Sequence, residues 1–109
     1  MKQTETDNYY AVIFTSKLKS DADGYAAMSA SMVELVQQQP GFIGFDSARD
    51  TVGMGITVSY WQDLASIKHW RDNLEHQAAQ CLGKDHWYEH YSIRIAKVER
   101  EYGSGTDSA

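Results

Sequence analysis

The chain has one cysteine and one proline in 109 residues, and each scarcity excludes something. A lone Cys81 cannot close an internal disulfide, which fits a reducing compartment such as the cytoplasm. With no CxxC and no HExxH spacing, no metal site is expected. Cys81 sits beside Leu82 in an apolar context that gives a thiolate nucleophile no support. Positive charge is also scarce: Lys and Arg number 10 against 15 Asp and Glu, for a net charge of −5. Without a basic cluster, neither nucleic-acid phosphates nor an anionic membrane surface is an expected partner. No apolar run approaches the roughly 20 residues of a transmembrane helix, and MKQTETDNYY lacks the apolar core of a signal peptide. GxGxxG, P-loop and nucleophile-elbow patterns are missing as well, so a nucleotide cofactor is not implied.

What remains is ordinary in bulk and unusual in one respect. A hydrophobic fraction of 42% and a charged fraction of 23% describe a single globular domain with one core. Seven Tyr, three Trp and three Phe are the unusual part. Aromatic side chains bring large buried area with a polar handle, which suits both pockets and interfaces.

In chain order, residues 1–8 are polar and aperiodic, a loose lead-in. Tyr9 to Leu18 reads as a strand apolar on both faces, with Ala11 and Ile13 on one and Val12 and Phe14 on the other. Asp21 or Asp23 is placed to cap a helix from Gly24 to Gln39, where Tyr25, Met28, Met32, Leu35 and Val36 recur at helical spacing. Core packing is the expected role of its Met stripe. Pro40 and Gly41 end the helix. A second strand, Gly41 to Asp50, turns at Thr51–Gly53 into a third, Met54 to Trp61, and Gly44 marks a candidate bulge.

The stretch Gly55 to Gly83 organises the rest. It joins that third strand to a helix from about Asp63, loosening at Asn73 into a second helical piece that Gly83 stops. Lys84 to Tyr88 is a connector, and His90 to Arg100 is a last strand with Tyr91, Ile93 and Ile95 on one face and a phase slip near Ala96. The Gly/Ser-rich tail, 101–109, is expected to be disordered.

The order β-α-β-β-α-β is the split βαβ of ferredoxin-like α+β folds, an antiparallel sheet with its first and third strands in the middle. Helices cover one face of such a sheet, yet the first strand is apolar on both. The expected cover for the second face is another copy of the chain, in a symmetric homodimer.

PGFIGFDSARD, GITVSYW, the helix carrying Trp70, EHQAAQCLG and WYEHYSIRIAKVER resemble the antibiotic biosynthesis monooxygenase family over about Tyr9 to Arg100. The EHxxAQ and WY pieces are similar to those of a bacterial subgroup. The resemblance implies a dimeric α/β barrel, with ferredoxin-like subunits joined through their sheets. It also implies one of two chemistries or, as in members that merely bind ligands, a non-catalytic small-ligand-binding dimeric module. One branch oxidises polycyclic phenols or quinols with molecular oxygen and no cofactor. The other degrades haem held by a helical His, with a Trp and an Asn nearby. Trp70 matches the family Trp in position, but the haem-ligating His would fall near Gln80, and the Asn within Ala11 to Phe14. No cofactor is therefore expected, with haem as the alternative.

His76 is the candidate catalytic residue, because an imidazole beside a pocket can take a phenolic proton and leave an anion that reacts with oxygen. Asn73 and Gln80 lie at helical spacing from it and offer amide donors. Capping or packing against the last strand or the partner is its structural alternative. Trp70 is expected to stack a planar ligand as a pocket wall, and Trp61 to fill a helix–sheet gap. Trp87, Tyr88 and Tyr91 line a cavity mouth or anchor a dimer. Arg94 either pairs with a carboxylate across the sheet or holds an anionic ligand. His69, between Lys68 and Trp70, is expected in solvent.

Overall fold

Alternating side chains and cross-strand pairing place every strand of the domain. The computed structural model describes residues 8–20, 24–80 (the backbone alone over 74–80) and 87–104. Its elements run β1 (Tyr9–Leu18), α1 (Tyr25–Val36), β2 (Phe42–Arg49), β3 (Met54–Trp61), α2 (Leu64–Gln80) and β4 (Tyr88–Val98). The four strands form one sheet in the order β2-β3-β1-β4, and every pairing is antiparallel. The first and third strands are thus central, as the sequence predicts. The fold is ferredoxin-like.

The β2–β3 hairpin closes on a side-chain-assisted turn. Asp50 Oδ1 accepts the backbone N–H groups of Val52 at 3.0 Å and Met54 at 2.9 Å, and Gly53 supplies the left-handed residue at φ 98°. The register of β2 shifts between Phe42 and Gly44, at the candidate bulge.

Four expectations about element ends are corrected. The cap of α1 is Gly24, left-handed at φ 85° and without a side-chain hydrogen bond, and both Asp21 and Asp23 lie outside the described residues. The helix itself ends at Val36, three residues early. Gln38 N–H turns back to Leu35 O at 3.1 Å, tightening the last turn ahead of Pro40. Asn73 does not divide α2, because its helix-propensity cost is well under about 1 kcal/mol and residues on both sides continue the helix. The β4 irregularity is not near Ala96, where pairing with Ala11 is regular. It sits at the start of the strand, opposite Lys17 and Leu18, where Tyr88 already pairs. Gly83, Lys84 to His86, the first seven residues and 105–109 lie outside the described residues.

Both helices pack on one sheet face. Trp61, fully buried, is the centre of a core with Val36 and Ile67, and Tyr10, Val12, Phe42 and Trp70 pack around it. Its indole N–H donates to Ser59 Oγ at 2.9 Å, which removes the penalty of burying that donor. At the N-terminus of α2, Asp63 Oδ1 accepts the Ser66 N–H at 2.8 Å. The other sheet face carries Ile43, Met54 and Ile56 in the open, with Ile43 52% and Ile56 51% exposed.

Candidate active site

Between the sheet and the helices lies a cavity of about 300 Å³, near the lower end of the range of roughly 300–1,000 Å³ usual for small-molecule sites. Its floor comes from inward residues of all four strands, among them Val12, Phe14, Phe45 and Ile93. One wall is α1, through Tyr25, Met28, Ser29 and Met32, and the other is α2, through Ile67, Trp70 and Arg71. Trp87 and Tyr88 close the end beside β4. Trp70 stacks on the core Trp61 at 6.2 Å and 29°, so its ring orientation is fixed by the core rather than by a ligand.

Polar groups are few and grouped. Ser47 and Thr57 share a hydrogen bond of 2.7 Å across the floor. A denser group stands at the Tyr25 end. Arg49, last residue of β2, pairs with Gly55 on β3, which pairs in turn with Ser16 on β1. With no side chain at Gly55, the Arg49 guanidinium lies across the sheet, and a Cβ there would run into it. The guanidinium donates to Gly53 O at 2.6 Å, Ser16 Oγ at 2.8 Å, Ser16 O at 3.4 Å and the Tyr25 hydroxyl at 3.4 Å. Arg49 Cζ stands 5.5 Å from the Tyr25 ring centre. Tyr25 and Tyr88 meet edge to face at 5.8 Å. Burial, and next the neighbouring Tyr25 hydroxyl, push the Tyr88 phenol well above its usual range, so it stays protonated.

Of the residues singled out in the sequence, Trp70, Trp87 and Tyr88 come together on this cavity. Tyr91 packs behind them, 5.7 Å from Phe14 and 5.9 Å from Tyr88, and does not line it. Asn73 is half-buried beyond Trp70 and outside the lining. Arg94 is on the opposite sheet face, where it pairs with Ile13 and donates to Ser92 Oγ at 3.2 Å. The side chains of His76 and Gln80 lie outside the described residues. Sequence reading missed Tyr25, the lining serines and Arg71 as cavity groups, and Arg49 behind Tyr25, and gave the Met stripe to the core although Met28 and Met32 face the cavity. The available signal was Gly55 directly across a short hairpin from an arginine. Haem would need an axial donor. Among its described residues the lining offers the Met28 and Met32 thioethers and the Tyr25 and Tyr88 phenols, and no imidazole. No group of three or more metal-ligating side chains occurs among the described residues.

The sequence profile of antibiotic biosynthesis monooxygenase matches residues 9–81. The chain belongs to that family. Another relative is the uncharacterized protein YqjZ of Bacillus subtilis, 46% identical over 101 residues that span 93% of this chain and 89% of that one. The jasmonate monooxygenase ABM of Pyricularia oryzae is 29% identical over 92 residues. That match takes in 82% of this chain but 43% of the fungal protein, so the chain spans less than half its length. Among solved structures, SnoaB, a cofactor-independent oxygenase from Streptomyces nogalater, aligns at a TM-score of 0.69 over 88% of this chain and 98% of that one. At 11% identity, that likeness establishes the antibiotic biosynthesis monooxygenase fold and nothing finer.

Proposed function

We propose that this protein is a cofactor-independent monooxygenase that oxidises a small aromatic phenol or quinol with molecular oxygen. The carrying observation is the cavity, an apolar slot walled by Trp70, Met28 and Met32, with its hydroxyls grouped on the floor and at one end. A flat ring is held there by stacking while its oxygens meet the hydroxyls. Oxygen, small and apolar, enters such a slot without cost. The family match and the oxygenase names of SnoaB and the fungal jasmonate monooxygenase agree with this reading.

The chemistry needs only substrate and oxygen. A base takes the phenolic proton, and the electron-rich anion bonds to O2 at a ring carbon and becomes a hydroperoxide on protonation. Loss of water then leaves a carbonyl: one oxygen atom stays on carbon and the other departs in water. His76 is proposed as the base, and Asn73 and Gln80 as amide donors on the same helix. Trp70, Trp87 and Tyr88 are proposed to bind the ring, with Tyr91 supporting Tyr88 from behind, while the position of Arg94 on the opposite sheet face sets it aside from ring binding.

Two copies are proposed to pair their outer sheet faces, because Ile43, Met54 and Ile56 stand exposed there beside the β1 residues. The same acidic, single-cysteine chain suits the cytoplasm. No described helix is long and apolar enough to cross a membrane.

The test is oxygen consumption with a panel of naphthols, anthrones and naphthoquinols, comparing wild type with His76→Ala. Stoichiometric uptake, lost in the variant while circular dichroism is unchanged, is expected. Uptake that persists in His76→Ala removes that residue from the chemistry, and a flat response across the panel removes the oxygenase reading. A parallel haemin titration should give no saturable Soret shift.

A further inference from the structure

The Arg49 group carries more than the packing of a hairpin. All four acceptors of its guanidinium, Gly53 O, Ser16 O, Ser16 Oγ and the Tyr25 oxygen, are uncharged. The ion pairs among the described residues are Lys17 with Glu89 and Asp72 with Lys68 and Arg71, and Arg49 belongs to none. Its positive charge is therefore held, half-buried, at the edge of an apolar cavity with no carboxylate in reach among those residues. A charge in such surroundings acts further and more strongly than one in water.

Tyr25 transmits that charge to the cavity. A phenol oxygen has two lone pairs to accept with and one proton to donate. Arg49 Nη2 donates to one lone pair at 3.4 Å. Tyr25 itself lines the cavity, so its O–H can be presented there. The incoming charged donor polarises that O–H and strengthens it as a donor. A ligand meeting it has to bring an acceptor, and the nearby guanidinium favours one carrying negative charge.

We infer that the Tyr25 hydroxyl, backed by Arg49, anchors an aromatic oxyanion, so that the cavity takes planar aromatics in their ionised form ahead of neutral ones of the same shape. This rests on the cavity being the ligand site and narrows its substrates to acidic phenols, enols and aryl carboxylates. Arg71, the guanidinium on the described lining, is exposed and lies 3.7 Å from Asp72, so it is compensated and screened. For an oxidation that begins from an anion, binding at this end would hold the substrate in its reactive state.

Binding under nitrogen separates this inference from turnover. Tryptophan fluorescence would be titrated with 2-naphthoate and with neutral 2-naphthalenemethanol. Naphthoate should bind about tenfold or more tightly, the ratio of a charge-assisted hydrogen bond to a neutral one. Tyr25→Phe keeps the ring on Tyr88 and removes only the hydroxyl. It should abolish most of that preference while leaving the alcohol within about twofold of its original affinity. Arg49→Lys, checked for folding by circular dichroism because Arg49 also ties Ser16 and Gly53, should retain part of it. Equal affinities in wild type, or equal losses of both probes in Tyr25→Phe, would overturn the inference. Binding of neither probe would overturn it together with the cavity as a ligand site. Anion preference without oxygen uptake would support it and sink only the oxygenase reading.

Discussion

At Gly55 the absence of a side chain positions another residue's charge. The cross-strand row Arg49, Gly55, Ser16 brings the guanidinium over the sheet because the middle member has no Cβ to block it. Gly55→Ala should therefore push Arg49 aside and cost roughly 1–3 kcal/mol as an overpacked site, read from urea unfolding. The same variant should lose the preference for 2-naphthoate, and retaining it would break the link between Gly55 and the site. A second residue-scale device is the Tyr9 phenol, which donates to the Glu101 carboxylate. Burial first, then that bond and charge, push Tyr9 from its ordinary 10.0 up to about 12. A phenol raised on folding favours the folded state fully below pH 10, and the contribution fades as pH climbs to about 12. Tyrosinate absorbance, taken as the difference between wild type and Tyr9→Phe, should show the late titration, and Glu101→Gln should bring it earlier. Beyond Gly55 facing Arg49 across a short hairpin, none of this was legible in the chain, since Ser16 and Tyr25 reach Arg49, and Glu101 reaches Tyr9, only when distant segments are brought together. Trp70, by contrast, could be read as a wall because helical spacing alone turns it toward Ile67 and the sheet.

Elements were easier to read than contacts, and their misreadings have local causes. β1 and β3 were legible to the residue because apolar, β-branched runs bounded by turn residues admit little else. The supposed break of α2 at Asn73 relied on propensity, which flanking helix overrides. The β4 bulge was misplaced because alternation describes one strand, whereas a register shift belongs to a pair. α2 depends on its first turn, where the Ser66 side chain and backbone hold the Asp63 carboxylate below the usual range. Such a depressed group stabilises the fold above its unfolded pKa and ceases to as pH falls through the folded value. Asp63→Ala should thus lower the urea midpoint at neutral pH, with the difference from wild type closing in strong acid. A constant difference across that range would mean that the carboxylate is not the cap. At the centre, Trp61→Ala should cost about 3–5 kcal/mol, because Phe42 and Trp70 both rest on the indole. Fluorescence-detected unfolding measures this, and a loss below 1 kcal/mol would displace Trp61 as the core.

On the scale of the molecule, one face of the sheet makes a cavity and the other remains apolar and open. If two copies cover that face, Ile56→Lys should convert a sedimenting dimer into monomer without loss of helical signal. Wild-type protein that sediments as a monomer would refute the pairing. The layout that β1 imposes has a separate consequence, for synthesis rather than for function. β1 emerges first yet sits between β3 and β4, and its pairing with β4 joins Tyr9 to Val98 across nearly the whole domain. Until the last strand clears the ribosome, one edge of this apolar strand has no partner and offers itself to other nascent chains. Translation that stalls before β4 should leave a product that chaperones hold and proteases clear, whereas a circular permutant that joins the two strands early would escape that interval.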